Sequence, residues 1–515
     1  MAAARPRARV VAVSAPGTPT LTVVRGPGTD IHRRIQLDRD AWRKTPEDIQ
    51  SFRDYADGVQ DPFLTDGQKT ALKGLLGHKF CDNVSHQIIA TDADRLVFEG
   101  WEVATDREQG YLDDLYVQNN LESESAEAHY AVCRDGDFAI TVSWDNDYQR
   151  VILTREEWWD GQEGIFIGYD KRGFPLYAVR EWEEVDGTRR RVIWYEDHLE
   201  RWIADGRSTL ADVWQPWNLP GEPASSYEDW LKPDGSPLHI PVVHFANGGR
   251  GPGNYGRSEL DGGVMGFQDQ INDSHYDSTA AGRFTGFQMY WMAGVPIQND
   301  PKTGIPIKPQ NAPGVWHHSD NPDAKYGHFP AGDIGALIDL YEMKLKAVCR
   351  MTRTPYHLIT GGDWPSGEAL WQAEKPLVMK LRKQVAKVKP AWVEVGHRAM
   401  EVANVFARLG LSESPDTSMI KALFEDVERR DPLTMAMADK TFWDAAVSAN
   451  QAGIPTTIYL KKRGWTDQEI QELLAAQQEE HRRDLQRQQD VATMQAQVAA
   501  ASEPPPAAPG VQGGS

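Results

Sequence analysis

Cysteine is almost missing. Three occur among 515 residues, Cys81, Cys133 and Cys349, far apart in the chain. An odd, scattered set excludes a disulfide framework, and without a CxxC pair it offers no zinc knuckle. The three are read as reduced, partly buried thiols. Long apolar runs are missing too. None approaches the roughly 20 residues that cross a bilayer, so no membrane span is expected. The N-terminal MAAARPRARVVAVSAPG has early arginines but too short an apolar stretch for a leader or an anchor. Positive charge is in deficit: Lys and Arg number 55 against 75 Asp and Glu, a net charge of −20. Phosphate contacts dominate nucleic-acid affinity, which argues against a sequence-specific DNA binder. The deficit does not exclude a protein that must let DNA slide past without sticking.

Signature loops are absent as well. The chain has no GxxxxGK[ST], GxSxG, HExxH or EF-hand pattern. A motor that hydrolyses ATP is therefore not expected here, and no acid pair stands apart from solvated carboxylates. Neither a metal nor a cofactor is expected, and there is no internal repeat.

Tryptophan is plentiful, with 18 residues. Surplus aromatics mark large buried interfaces or, as the rival reading, carbohydrate recognition. A chain this long is expected to form about two to four packed units. Residues 1–35 mix Ala, Arg, Pro and Gly without a period and read as a disordered arm. Residues 46–90 read as helical, with Thr45 before Pro46 as a start and Glu47 and Asp48 in the first turn. Residues 94–104 alternate like a strand, and one helical stretch follows near 107–132. Short runs at 137–144, 149–155, 164–169, 175–184, 189–196 and 198–204 read as an antiparallel meander. Residues 205–236 read as loop, and 239–246 as a strand entering a glycine-rich bend.

From Ser258 the period turns helical, with Leu260, Val264, Phe267 and Ile271 on one face. The later Ser274, Ser278, Ala280 and Ala281 suit close packing beside other helices. Residues 284–332 read as a small β-containing insertion. Asp333 can cap a helix whose stripe is Ile334, Leu337, Ile338, Tyr341, Leu345 and Val348. Pro355 and Pro365 block helix continuation, so the stretch 355–366 reads as a loop with a flexible tip at Gly361 and Gly362. Ser366 caps a helix over 367–406, roughly 60 Å long, with kinks expected at Pro376 and Pro390. Pro432 opens and Gly453 closes another helix. Thr466 and Glu469 form a capping box for a polar helix reaching 498, before a disordered tail over 501–515.

Three motifs invite chemistry. Gly251, Gly253 and Gly256 match a dinucleotide fingerprint after a strand. No second parallel strand with a terminal acid follows, so the plain reading is a strand-to-helix bend. His317 and His318 are adjacent and would point to opposite faces of a strand, which is awkward for a shared metal. Lys380, Arg382, Lys383, Lys387 and Lys389 make a basic patch in an acidic chain. It is either a solvated helix face or a contact with DNA phosphates or with an acidic neighbouring subunit.

The order of parts over 239–406 resembles the portal proteins of long-tailed, siphovirus-like bacteriophages. The features are HIPVVHFAN, the glycine-rich bend, GRSEL opening a helix, an insertion, a second helix of similar length, and PSGEALWQAEKPLVMKLRK. Upstream, NNLESESAEAHYAVCRDGDFAITV is similar to the family's helix-then-strand segment. The tryptophan usual before that asparagine is absent, with Leu115 and Tyr116 near its place.

The resemblance implies an α+β portal fold assembled as a ring of about twelve subunits. It implies an α/β wing at 36–256, stem helices at 257–283 and 333–354, and a clip at 284–332. A tunnel loop at 355–366, a long kinked helix with wing return at 367–430, and a helical crown at 431–500 complete it. Tyr356, His357, Leu358, Ile359, Thr360, Gly361, Gly362, Asp363 and Trp364 would face double-stranded DNA. Asp363 is the only full charge among them, so the loop would touch DNA without gripping it. The implied partners are the terminase large subunit, the major capsid protein, the scaffolding protein and the head–tail adaptor. The implied place is a capsid vertex of the virion, after assembly in the host cytoplasm. The rival readings are a phage-associated carbohydrate-active or metal-dependent enzyme, and a head or tail subunit that is not a portal.

Overall fold

The computed structural model describes residues 31–42, 44–61, 81–205, 214–217, 227–248, 255–286, 290–294, 299–306, 321–328, 334–361, 367–411, 420–428, 432–462, and 470–471, 473–475, 478–479, 482–483 and 486–487. The helices in chain order are α1 (Ile31–Asp40), α2 (Pro46–Asp57), α3 (Val84–Ala93), α4 (Asp106–Gln118), α5 (Leu121–Asp135), α6 (Val264–Gly286), α7 (Ile334–Thr352), α8 (Tyr356–Thr360), α9 (Gly367–Phe406), α10 (Pro432–Gln451) and α11 (Thr456–Lys462). The strands are β1 (Phe98–Val103), β2 (Asp137–Asp145), β3 (Arg150–Glu156), β4 (Gly164–Tyr169), β5 (Pro175–Glu183), β6 (Thr188–Trp194), β7 (His198–Asp205), β8 (Gln215–Pro216), β9 (Tyr227–Asp229), β10 (Val242–Ala246), β11 (Tyr290–Ala293), β12 (Lys325–His328) and β13 (Ile420–Phe424). The chain divides into two units, Met1–Val427 and Glu428–Ser515.

Local chemistry sets the first elements. Thr45 caps α2 and shares a reciprocal capping box with Asp48, while Gly58 ends the helix at φ 71°. The β runs fall close to where alternation placed them, but they do not make one meander. β4 to β8 form one antiparallel sheet, with β9 added on β7. β2 and β3 instead pair with β10, and β1 pairs with β13. Trp158 and Trp159, both buried, follow β3 where the chain leaves one sheet for the other. The insertion contributes a two-stranded pair, β11 with β12.

Two hydrophobic cores result. The first gathers Ile49, Phe52, Trp158, Phe166 and Ile193 with Leu345, Val348, Leu377 and Leu381. The second gathers Phe98, Trp101, Phe138 and Phe245 with Trp392, Val395 and Val402. The long helix α9 serves both, and Pro376 and Pro390 lie inside it without ending it. Trp392 stacks on Phe98 with ring centroids 4.2 Å apart. Its Nε1 donates to His129 Nε2 at 2.9 Å, and its carbonyl accepts from Trp101 Nε1 at 2.7 Å. Burial pushes His129 down to about 4, so this ring is neutral and able to accept.

Several expectations shift for physical reasons. Helix α1 begins at Ile31, inside the stretch expected to be a disordered arm, because Ile35 and Arg39 are buried in the first unit. Residues 1–30 lie outside the described ones. The helical stretch near 107–132 is two helices. Asn120 at φ 50° parts them, and Asn119 is tied to β3 through Leu153 N at 2.9 Å. Helix α6 starts at Val264 rather than Ser258, since Gly262 and Gly263 hold positive φ just before it. In the second unit, α10 spans Pro432–Gln451 and Gly453 follows at φ 87°. Phe442 packs on Tyr459 of α11 at 5.9 Å. The capping box at 466–469 lies outside the described residues, and the described pieces between 470 and 487 are helical.

Candidate functional site

Helices α6 and α7 pack along each other in opposite directions. Met351 lies near Gly263, Lys344 Nζ donates to Ser274 Oγ at 2.7 Å, and His275 meets Tyr341 at 4.7 Å between rings. Near the sheets the pair is well packed: Ile271, Leu345 and Val348 are buried. Toward the insertion the same stripe opens. Leu345 is 1% exposed, whereas Ile338, seven residues earlier on the same face, is 50% exposed; Met343, on another face, is 60% exposed. A cleft of about 790 Å³ on this pair is lined by Phe267, Leu340, Met343 and Arg350, among others. Asp82 pins the packed half. His275 Nε2 lies at 3.3 Å from its carboxylate, and Tyr341 OH donates to it at 2.6 Å. The His275 bond, and then that of Tyr341, hold this carboxyl below its ordinary range against the effect of burial.

The segment after α7 differs from an irregular loop. Pro355 stands at the N-cap of a helical turn, Tyr356–Thr360, and Gly361 follows at φ 62°. Proline at a helix start costs no hydrogen bond, so Pro355 begins a turn as well as ending α7. Tyr356, Leu358 and Ile359 lean on the first core, and His357 Nε2 lies 3.3 Å from Glu374 Oε1. Thr360 and Gly361 are exposed. Gly362, Asp363 and Trp364 lie outside the described residues.

The basic stretch of α9 splits. Arg382, Lys383, Lys387 and Lys389 are exposed. Lys380 is not: its ammonium binds Asp92, Glu259 at 2.7 Å and the Thr352 carbonyl at 3.1 Å. This clamp ties α3, the turn before α6, the end of α7 and α9 at one point. Burial pushes the Asp92 carboxyl up to about 7. Burial also opposes ionisation of Glu259, but Lys380 outweighs it and holds that carboxyl below its ordinary range. Lys380 thus faces two carboxylates of opposite tendency, Asp92 raised by burial and Glu259 lowered by the ammonium. Within this chain Lys380 is thus a structural cation. No sequence signal pointed to the clamp, because Asp92 and Lys380 stand 288 residues apart.

Gly256 explains part of the glycine motif. A Cβ there would fall 1.8 Å from the Gly136 carbonyl oxygen. Its N–H also donates to Asp137, a carboxylate that accepts from Lys44 at 2.8 Å. The third glycine thus serves close backbone approach within the fold. Gly251, Gly253, His317 and His318 lie outside the described residues. Among the described residues no group of three or more His, Cys, Asp or Glu could hold a metal, and no helix is long and apolar enough to cross a membrane.

Two solved structures align over most of the chain. One comes from the neck of an empty gene transfer agent particle, at TM-score 0.40 and 11% identity, covering 77% of this chain and 96% of that one. The other comes from the virion of a native gene transfer agent particle, at TM-score 0.37 and 13% identity, covering 79% and 99%. At these values neither carries an argument about this chain. No curated protein matches. Residues 83–483 match the profile of the family described as phage portal protein, SPP1 Gp6-like, which is more than half of the 515 residues. The chain belongs to the SPP1 Gp6-like family of phage portal proteins.

Proposed function

We propose that this portal protein acts as one subunit of a ring of about twelve, set at one capsid vertex, through which double-stranded DNA is packaged and later ejected. The family match over 83–483 carries this reading, and the family is a structural one. In it, α6 and α7 are the stem, the insertion holding β11 and β12 is the clip, and the sheets with α1 to α5 are the wing. The end of α9 and β13 return to the wing, and α10 and α11 belong to the crown. The segment 355–366 is the tunnel loop; Tyr356 and Leu358 lean on the first core, so the part that would meet DNA begins at Thr360. The clip docks the terminase large subunit during packaging and the head–tail adaptor afterwards. The crown and wing face scaffolding and major capsid protein during assembly in the host cytoplasm.

The half-open stripe of α7 supports a ring. One subunit does not cover Ile338, but a neighbouring copy can. A packaging assay tests the reading. Rings whose residues 284–332 are replaced by a short Gly-Ser link should assemble and stay soluble, yet package no DNA. Normal packaging by those rings would remove the clip assignment.

A further inference from the structure

Beside the Lys380 clamp lies a second cleft, of about 400 Å³, lined in part by Asn247, Gly248, Arg257, Arg353, Lys380 and Lys387. Glu259 and Asp261 also face it. Two of its four cations are neutralised within the chain: Lys380 by the clamp, and Arg257 by Asp261 at 2.6 Å. Lys387 and Arg353 are exposed and have no hydrogen bond or ion pair among the described residues.

Both stand beside backbone in the left-handed region. Gly248 sits at φ 77°, and a Cβ there would fall 2.5 Å from the Lys387 ammonium. Glycine at this position lets the Lys387 ammonium lie against the backbone at the rim of the cleft. Arg353 holds φ 62°, a left-handed conformation disfavoured for a residue with a side chain. It stands at the end of α7, where a glycine would be the unstrained choice.

An oxyanion therefore fits the cleft. Its small concave shape suits the end of one side chain better than a duplex, which meets proteins over broad surfaces. The chain itself is rich in such ends, with 75 Asp and Glu and a net charge of −20. We infer that this cleft is a socket for a carboxylate side chain of a second copy of this chain, the next subunit around the ring. The inference rests on the ring reading above and names one of the contacts that would close the ring.

The test is sedimentation velocity and electron microscopy on the purified full chain, as wild type, Lys387→Met, Arg353→Gly and the double variant. Each single variant should raise the concentration for half-assembly about tenfold, the loss of one charge-assisted contact. Raising salt from about 0.05 to about 0.5 M should weaken wild-type assembly and leave the double variant nearly unchanged. Arg353→Gly should keep or raise the unfolding temperature of the subunit, since it relieves a left-handed φ, so weaker assembly would not be a folding defect. Wild-type protein that forms no ring would remove the ring reading, and the socket with it. Wild-type rings matched by double-variant rings at the same concentration and salt response would remove the socket alone. Variant rings that assemble normally but lose duplex DNA binding would assign the cleft to phosphate and overturn the socket too.

Discussion

Helices α9 and α7 both carry one apolar stripe, yet they finish it differently. In α9 the stripe is closed within the chain: Leu377 and Leu381 enter one core, and Val388, Trp392 and Val395 the other. In α7 only the last turns are closed. Leu345 and Val348 are buried, while Ile338 on the same face is half-exposed. Apolar area left in water forfeits roughly 25 cal/mol per Å², so a stripe this regular implies a partner beyond the subunit. The closed helix holds the subunit together, and in the proposed ring the open one would meet the next copy.

The closed stripe should break hardest. Trp392→Ala removes a fully buried ring, its stacking on Phe98 and its hydrogen bond to His129. It should cost about 3–5 kcal/mol of subunit stability, read by urea unfolding of the dissociated subunit. A loss under about 1 kcal/mol would mean that the second core is not organised around Trp392.

The open stripe should fail only in assembly. Ile338→Asp should change subunit stability by less than about 1 kcal/mol, because the side chain is 50% exposed. In a ring it would bury an unpaired charge, at about 3–5 kcal/mol per contact, and light scattering should find no ring. Leu345→Asp sharpens the contrast, since it should unfold the subunit itself. Equal behaviour of the two variants would erase the distinction.

The clamp between the two helices should set a pH dependence. Asp92 is raised from 3.8 to about 7, so the stability its proton supplies is fully present below 3.8 and is lost as pH rises through about 7. Asp92→Asn should therefore flatten the unfolding temperature across this window and leave it highest, relative to wild type, above pH 7. An unchanged slope would place the titration elsewhere.

The smallest effect concerns the tip between the helices. Asp363→Lys should leave ring assembly intact and slow packaging at low salt, where phosphate attraction is strongest. Normal low-salt packaging would mean that the tip does not meet DNA.

Much of this was legible in the sequence because the signals were local. Alternation bounded by glycine and acidic turns placed β2 to β7 within a residue or two, and Thr45, Pro46, Pro432 and Gly453 marked helix ends by cap chemistry. Long-range pairings were not legible. Nothing local tells β2 and β3 to pair with β10 rather than to continue into β4. Nothing in MKLRKQVAKVK separates Lys380, which turns inward to Asp92, from Lys387, which does not. Pro355 was ambiguous for the same reason. The rule that ends one helix at a proline also starts another, and only the core under Tyr356 and Leu358 decides between them.

Electron microscopy of the purified wild-type chain tests the central claim most directly. A ring of about twelve copies with a central hole is expected, in which Ile338 of each subunit is buried against the next copy. A monomer, or a ring that leaves Ile338 facing solvent, would contradict this.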